Sequence, residues 1–199
     1  FVIVGGVAAG PKAASKITRL IPDAEVTVVE QEPSLAYAGC GLPYYVSGQV
    51  RSERDLMETA LGMVRDSVFF QNVKNVRALD RTEALRIDRP NKRILVRDGR
   101  TGLESWLGYD KAVLATGTTN IAPEIDGLDM PGVFRLHGVR DAEGIRSRLA
   151  QTRAHDVVIV GGGLIGVEVT EALVRTGCRV TIVELREQIL NSLDWEMAE

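Results

Sequence analysis

Sulfur and imidazole are scarce in this chain: two cysteines and two histidines are spread over 199 residues. Cys40 and Cys178 stand far apart in unlike surroundings, so they make no disulfide framework. Nor does any stretch gather the ligands that a structural metal needs, and none is expected. Also lacking is an excess of charge. The 24 Lys and Arg nearly balance 27 Asp and Glu, leaving −3 with the signs interspersed. That excludes the basic face that would bind nucleic acid or an anionic membrane. No apolar run approaches the roughly 20 residues needed to span a bilayer, and no charged-then-apolar leader opens the chain. The expectation is a cytoplasmic protein that acts on small molecules. Its 45% hydrophobic residues suffice for a packed interior, in one large or two small domains.

Two similar units supply that interior. In the first, the apolar strand Phe1-Val2-Ile3-Val4 enters the turn Gly5-Gly6-Val7-Ala8-Ala9-Gly10. A helix follows with Ala13, Ala14, Ile17 and Leu20 on one face, broken at Pro22-Asp23, and a second strand, Val26 to Val29, ends on Glu30. In the second, Val157 to Val160 enters Gly161-Gly162-Gly163-Leu164-Ile165-Gly166, and Arg179 to Val183 ends on Glu184. Glycine suits such a turn because, without Cβ, the backbone can approach a pyrophosphate, whose charge meets free N–H groups and the positive helix end. The acid closing the second strand can bond a ribose hydroxyl pair and repel a 2′-phosphate, so the second unit should favour NADH over NADPH. Val7 stands where the first turn would carry its middle glycine, and the second turn has the full pattern.

Between the units the pattern predicts a short helix from Val64 to Phe70 and a hairpin of Thr82 to Asp88 with Lys92 to Arg97 around Pro90-Asn91. A strand, Lys111 to Ala115, ends at Thr116-Gly117, and proline and glycine punctuate Thr119 to Gly132 as a connection. A helix is expected from about Arg140 to Gln151. The fold class is therefore α/β, with two Rossmann-like, three-layer dinucleotide-binding domains. They fall at residues 1–119 and 120–199, the second truncated. Phe1 opens inside a strand and Asp194 to Met197 stops in helical sequence, so a fragment of a longer protein is expected.

Leu35 to Tyr45 has neither helical nor strand periodicity and sets Cys40 between Gly39 and Gly41, with Pro43 close by. It reads as a shaped loop, and a cysteine outside any apolar run reads as reactive rather than packed. Cys178, just before a strand, reads as a packing residue, and His137 and His155 lie outside every motif.

Cys40-Gly41-Leu42-Pro43-Tyr44 soon after the first acid, the Ala115-Thr116-Gly117 turn, and Gly161 to Gly166 followed by Glu168 together resemble the flavin-dependent pyridine nucleotide–disulfide oxidoreductases. Within them the chain is similar to the single-cysteine branch of coenzyme A-disulfide reductases, NADH-dependent persulfide reductases, NADH oxidases and NADH peroxidases. The resemblance implies that FAD is held by Gly5, Gly6, Val7, Ala8, Ala9, Gly10, Glu30, the backbone near Ala84, Thr116 and Gly117. It assigns NADH to Gly161, Gly163, Ile165, Gly166 and Glu184. Cys40 becomes the redox thiol, Glu168 lies near the contact of nicotinamide with flavin, and Lys16, Arg19 and Tyr44 bind substrate. That substrate would be a small disulfide or persulfide, coenzyme A-linked in one group of relatives, and the whole protein a homodimer.

Two-cysteine reductases carry a second cysteine a few residues on, where this chain has only Gly41, Leu42 and Pro43. Cys40 must then cycle with a substrate thiol or through its own sulfenic acid. The oxidases and peroxidases of the branch carry a histidine in the first glycine turn, and Ala8 occupies that position here. This favours the disulfide and persulfide side, although Ala36 and Gly39 stand where those reductases usually show Ser and Asn. The alternatives are an NADH oxidase or peroxidase using a cysteine sulfenic acid, and a nucleotide-binding fragment inactive by itself.

Overall fold

The computed structural model describes residues 1–121, 123–152 and 156–198. His155 lies outside the described residues. In chain order the elements begin with β1 (Val2–Val4), α1 (Ala9–Leu20), β2 (Thr27–Val29), a 3-10 turn (Gly39–Gly41), α2 (Leu42–Val46), α3 (Glu53–Met57) and α4 (Ser67–Lys74). There follow β3 (Arg77–Leu79), β4 (Thr82–Asp88), β5 (Arg93–Asp98), β6 (Glu104–Gly108) and β7 (Ala112–Leu114). The remainder comprises α5 (Val139–Thr152), β8 (Asp156–Val160), α6 (Leu164–Arg175), β9 (Arg179–Val183) and α7 (Trp195–Ala198). These elements form two compact units, Phe1–Gly39 with Arg54–Thr119 and Cys40–Glu53 with Asn120–Glu199. Residues 40–53 thus interrupt the sequence of the first unit and group with the second.

In the first unit a parallel sheet runs in the order β3-β2-β1-β7, with Val2 beside both Thr27 and Ala112. Strand alternation divides its side chains between two layers. Ile3 and Val28 pack with Ala14 of α1 and Phe70 of α4, whereas Val2 and Val29 pack with Ile94 and Val96 of β5. The second of these layers is the antiparallel sheet β4-β5-β6. With both faces covered, β1 must be apolar at every position, which is why it reads as an unbroken hydrophobic run. Ile3 and Val28 are almost wholly buried, each worth about 1.5–3 kcal/mol against exposure.

Two expectations for this unit need correction. The helix predicted from Val64 to Phe70 lies at Ser67–Lys74, because Asp66 caps it by accepting the Phe69 N–H at 2.8 Å and Asn75 ends it in the left-handed conformation, φ +51°. Leu20 is not on the packed face of α1. It ends the helix 65% exposed, and the backbone turns out of helical geometry at Ile21.

In the second unit β8 and β9 pair in parallel from Asp156 with Arg179 to Val160 with Val183, joined through α6. Val169, Ala172 and Leu173 of α6 are buried, as are Cys178 before β9 and Val139 and Ala142 of α5. Val158 and Val160 point outward along β8 and are 64% and 65% exposed. The loop expected around Cys40 is also corrected, since a 3-10 turn at Gly39–Gly41 leads directly into α2. Pro43 occupies an early helical position, where a missing N–H does no harm, and Leu42, Pro43, Tyr45 and Val46 are buried against α5 and α6. Five residues are too few to show helical periodicity.

Among the described residues no helix is long and apolar enough to cross a membrane, and no group of three or more His, Cys, Asp or Glu could hold a metal ion.

Candidate functional site

The first glycine turn is shaped by contacts within its own unit. Gly5 has φ +110°, and a Cβ there would strike the carbonyl oxygen of Ala115. A Cβ on Gly10 would strike the carbonyl oxygen of Gly5, and one on Gly6 would meet Glu30 Cβ at 2.7 Å. These close approaches fasten the start of α1 to the ends of β1 and β2. They also bring Thr116 and Gly117, which follow β7, beside the turn: the Ala115 N–H donates to the Val4 carbonyl at 2.7 Å.

Glu30 is buried, and its carboxylate is engaged by main chain. Oε2 accepts the Gly6 N–H at 2.6 Å and Oε1 accepts the Glu32 N–H at 2.9 Å. Its own N–H donates to the Leu79 carbonyl at 2.9 Å, and its carbonyl accepts from the Thr82 N–H at 2.7 Å. The second unit repeats the clamp: Glu184 Oε2 accepts the Gly162 N–H at 2.6 Å, and Oε1 accepts the Arg186 N–H at 2.9 Å. Those bonds, first from Arg186 and then from Gly162, hold the Glu184 carboxyl below the usual carboxylate range. Gly161 again has φ +109°, and a Cβ on Gly166 would strike the carbonyl oxygen of Gly161. Ile165 is largely exposed on the first turn of α6.

Both turns fit a dinucleotide. α1 and α6 begin at Ala8 and Gly163 with no side-chain cap on their N–H groups, whereas α4 has Asp66. Uncapped first-turn amides at the end of a helix dipole suit a pyrophosphate supplied from outside. A carboxylate offers about four acceptor positions, so the main-chain bonds leave each clamped acid a lone pair for a ribose hydroxyl. The residues grouped in the first unit are therefore Gly5, Gly6, Val7, Ala8, Ala9, Gly10, Glu30, Thr116 and Gly117. Ala84 lies two residues beyond Thr82, whose N–H donates to the Glu30 carbonyl. It lies in β4 at a register shift and packs near Ile94 and Val96, while the main chain next to Glu30 is that of Leu79 and Thr82. Lys16 and Arg19 are exposed on α1.

Cys40 is exposed on the 3-10 turn of the second unit, and an added Cβ at neighbouring Gly39 would meet nothing within 4 Å. Cys178 is buried, its Sγ 3.4 Å from Thr176 Oγ1, so the two thiols differ as the sequence predicts. Tyr44 and Glu168 line one small depression with Pro43, Gln49, Glu171 and Arg175.

Sequence reasoning passed over Tyr45. Its ring is buried, its hydroxyl donates to Glu143 Oε1 at 3.4 Å, and the Arg146 guanidinium lies 4.3 Å from the ring centroid. Burial raises the Tyr45 phenol; the Glu143 charge adds to the shift and Arg146 opposes it. Nothing local foretells this cluster, because its members are separated by almost half the chain. The backbone clamps on Glu30 and Glu184 were equally hidden, although the fixed spacing of glycine turn and acid is their signal.

The structure thus joins a parallel α/β sheet, paired glycine turns each tied to a strand-end acid, and an exposed thiol. The chain belongs to the pyridine nucleotide-disulphide oxidoreductase family, which it matches over residues 1–199. It is 37% identical to the NAD(P)H sulfur oxidoreductase (CoA-dependent) of Pyrococcus abyssi, with 100% of this chain and 42% of that protein covered. With the NADH oxidase of Methanocaldococcus jannaschii it shares 32% identity over 100% of this chain and 43% of the relative. Among solved structures, the NAD-dependent persulfide reductase from A. fulgidus superimposes with a TM-score of 0.94 at 40% identity, covering 99% of this chain and 36% of that one. The chain spans less than half the length of these relatives.

Proposed function

We propose that this chain is the nucleotide-binding and thiol-bearing part of a flavoprotein that passes electrons from NADH through FAD to a disulfide or persulfide, coenzyme A-linked, at Cys40. The observation that carries this reading is the exposed Cys40 on a glycine-flanked turn, with no second cysteine beside it, in a chain with two clamped glycine turns. Residues 1–119 would supply the FAD-binding domain and 120–199 part of the NAD-binding domain, and the whole protein would act as a cytoplasmic homodimer.

The Gly5-to-Gly10 turn, Glu30, Thr116 and Gly117, with main chain near Ala84, would hold FAD; Gly161, Gly163, Ile165, Gly166 and Glu184 would hold NADH. When bound, FAD supplies the two-electron transfer from NADH to sulfur that no side chain can perform. The rest of the cycle belongs to Cys40. Its thiolate attacks one sulfur of the substrate disulfide; the substrate S–S bond breaks as the bond to Cys40 forms, and one thiolate leaves. Two electrons then break the mixed disulfide, restoring the Cys40 thiolate and releasing the second thiol. Overall NADH, one proton and one disulfide give NAD and two thiols. Tyr44, Lys16 and Arg19 are assigned to substrate, the last two as cations for phosphate groups, and Glu168 to the nicotinamide end.

The likeness to an NADH oxidase favours a second reading, in which Cys40 forms a sulfenic acid with peroxide. Ala8 offers no imidazole to assist it. NADH oxidation by the full-length protein, measured side by side with coenzyme A disulfide, polysulfide and peroxide, separates the two. Cys40→Ser should still take up FAD and accept hydride, yet lose disulfide turnover by at least about a hundredfold. A serine variant with near-normal turnover on all three acceptors would make Cys40 structural and end the proposal.

A further inference from the structure

The segment 40–53 packs on both α5 and α6 of the second unit, and α5 adds polar contacts to it. Arg146 lies over the Tyr45 ring, and its Nη1 also donates to the carbonyl oxygen of Arg51 at 3.3 Å. One side chain thus grips α2 near the start of the segment and the main chain near its end. Glu143, one turn earlier on α5, accepts the Tyr45 hydroxyl. The cysteine turn has little packing of its own: Gly39 has open space around it, and Cys40 is exposed. α2 has five residues, far fewer than a helix needs to persist alone. Its orientation, and with it the direction in which the preceding turn presents the thiol, is therefore set from outside.

We propose that Arg146 is the positioning residue for Cys40: by stacking on Tyr45 and holding the Arg51 carbonyl, it fixes α2 and so the place of the thiol. A planar guanidinium can do both at once, whereas an ammonium can cover the ring or bond the carbonyl but does not match that geometry. Glu143 stands on the same helix face and orients the phenol within the grip.

The inference rests on the reading that Cys40 is the redox thiol, and its test is arranged so that each can fail alone. In the FAD-loaded full-length protein, Arg146→Ala should speed hydrogen exchange of the amides in 42–51, where opening is local. It should also lower kcat for disulfide reduction about tenfold or more, since small displacements of a reacting group are costly. NADH-to-ferricyanide turnover, FAD content and the melting temperature should stay within about twofold or a few degrees of wild type. Arg146→Lys should recover part of the loss. If Arg146→Ala does not fold, Arg146→Gln, which keeps a donor for Arg51 and removes the cation from the ring, carries the same readouts. Unchanged exchange in 42–51 together with undiminished disulfide turnover in the folded variant overturns the proposal. If Cys40→Ser keeps its turnover, the redox reading falls, and the exchange of 42–51 alone still decides whether Arg146 anchors the segment.

Discussion

Replacing Gly5 by alanine should be among the most damaging single-methyl changes in the chain, and the reason is local geometry. At φ +110° an L-residue is strained, which by itself costs about 1–3 kcal/mol. The added methyl would also project into the carbonyl of Ala115, a residue whose own N–H donates to the Val4 carbonyl at 2.7 Å. That group is main chain directly after β7, at the end of the β1–β7 ladder, and cannot rotate aside as a side chain can, so overpacking contributes roughly another 1–3 kcal/mol. The two effects together place the loss at about 2–6 kcal/mol, a large share of the 5–15 kcal/mol that holds a typical domain. Gly39→Ala is the internal control. Gly39 lies outside the left-handed region with nothing within 4 Å of the new methyl, so the same chemical change should leave stability unaltered or raise it by up to about 1 kcal/mol. Urea unfolding of the full-length variants, followed by circular dichroism and by flavin release, measures both. Equal midpoints for the two variants would refute the argument that contact and backbone conformation, rather than glycine content, shape this turn.

Glu184→Gln should raise the affinity for NADP relative to NAD by removing the charge that faces a 2′-phosphate, and Glu184→Ala should in addition loosen the turn by orphaning the Gly162 and Arg186 amides; titration calorimetry with both nucleotides reads the ratio. The carboxyl is held below its ordinary value of 4.5, so the clamp is at full strength above that value and is lost as pH falls through the lower folded value. Nucleotide affinity should consequently be insensitive to this group between about pH 5 and 8, and a step near neutrality would assign the titration elsewhere. Asp66→Ala should lower stability by about 1 kcal/mol and speed exchange in the first turn of α4, with Asp66→Asn nearly neutral; equal losses for both would remove the capping argument.

Local patterns made much of this protein legible. The strand, glycine turn, helix and closing acid repeat in order because each step obeys a short-range rule: apolar runs where both sheet faces are covered, glycine where main chain meets main chain, and an acid within reach of the turn's amides. The β4–β5 hairpin was visible for the same reason. α4 lies three residues beyond the start that the apolar residues Val64 to Phe70 suggest, because the caps Asp66 and Asn75, both visible in the sequence, set its ends. Other features had no local signal. α2 is too short for periodicity and exists because Leu42, Tyr45 and Val46 find cover on α5 and α6. Residues 40–53 group with the second unit, against chain order, through contacts such as Arg146 on Tyr45 and on the Arg51 carbonyl, formed across long stretches of sequence. That Cys40 lies exposed and Cys178 buried could be read from their neighbours in sequence. That the Cys40 turn runs straight into a helix could not, because glycines on both sides leave the local backbone free and the cover for α2 comes from distant residues.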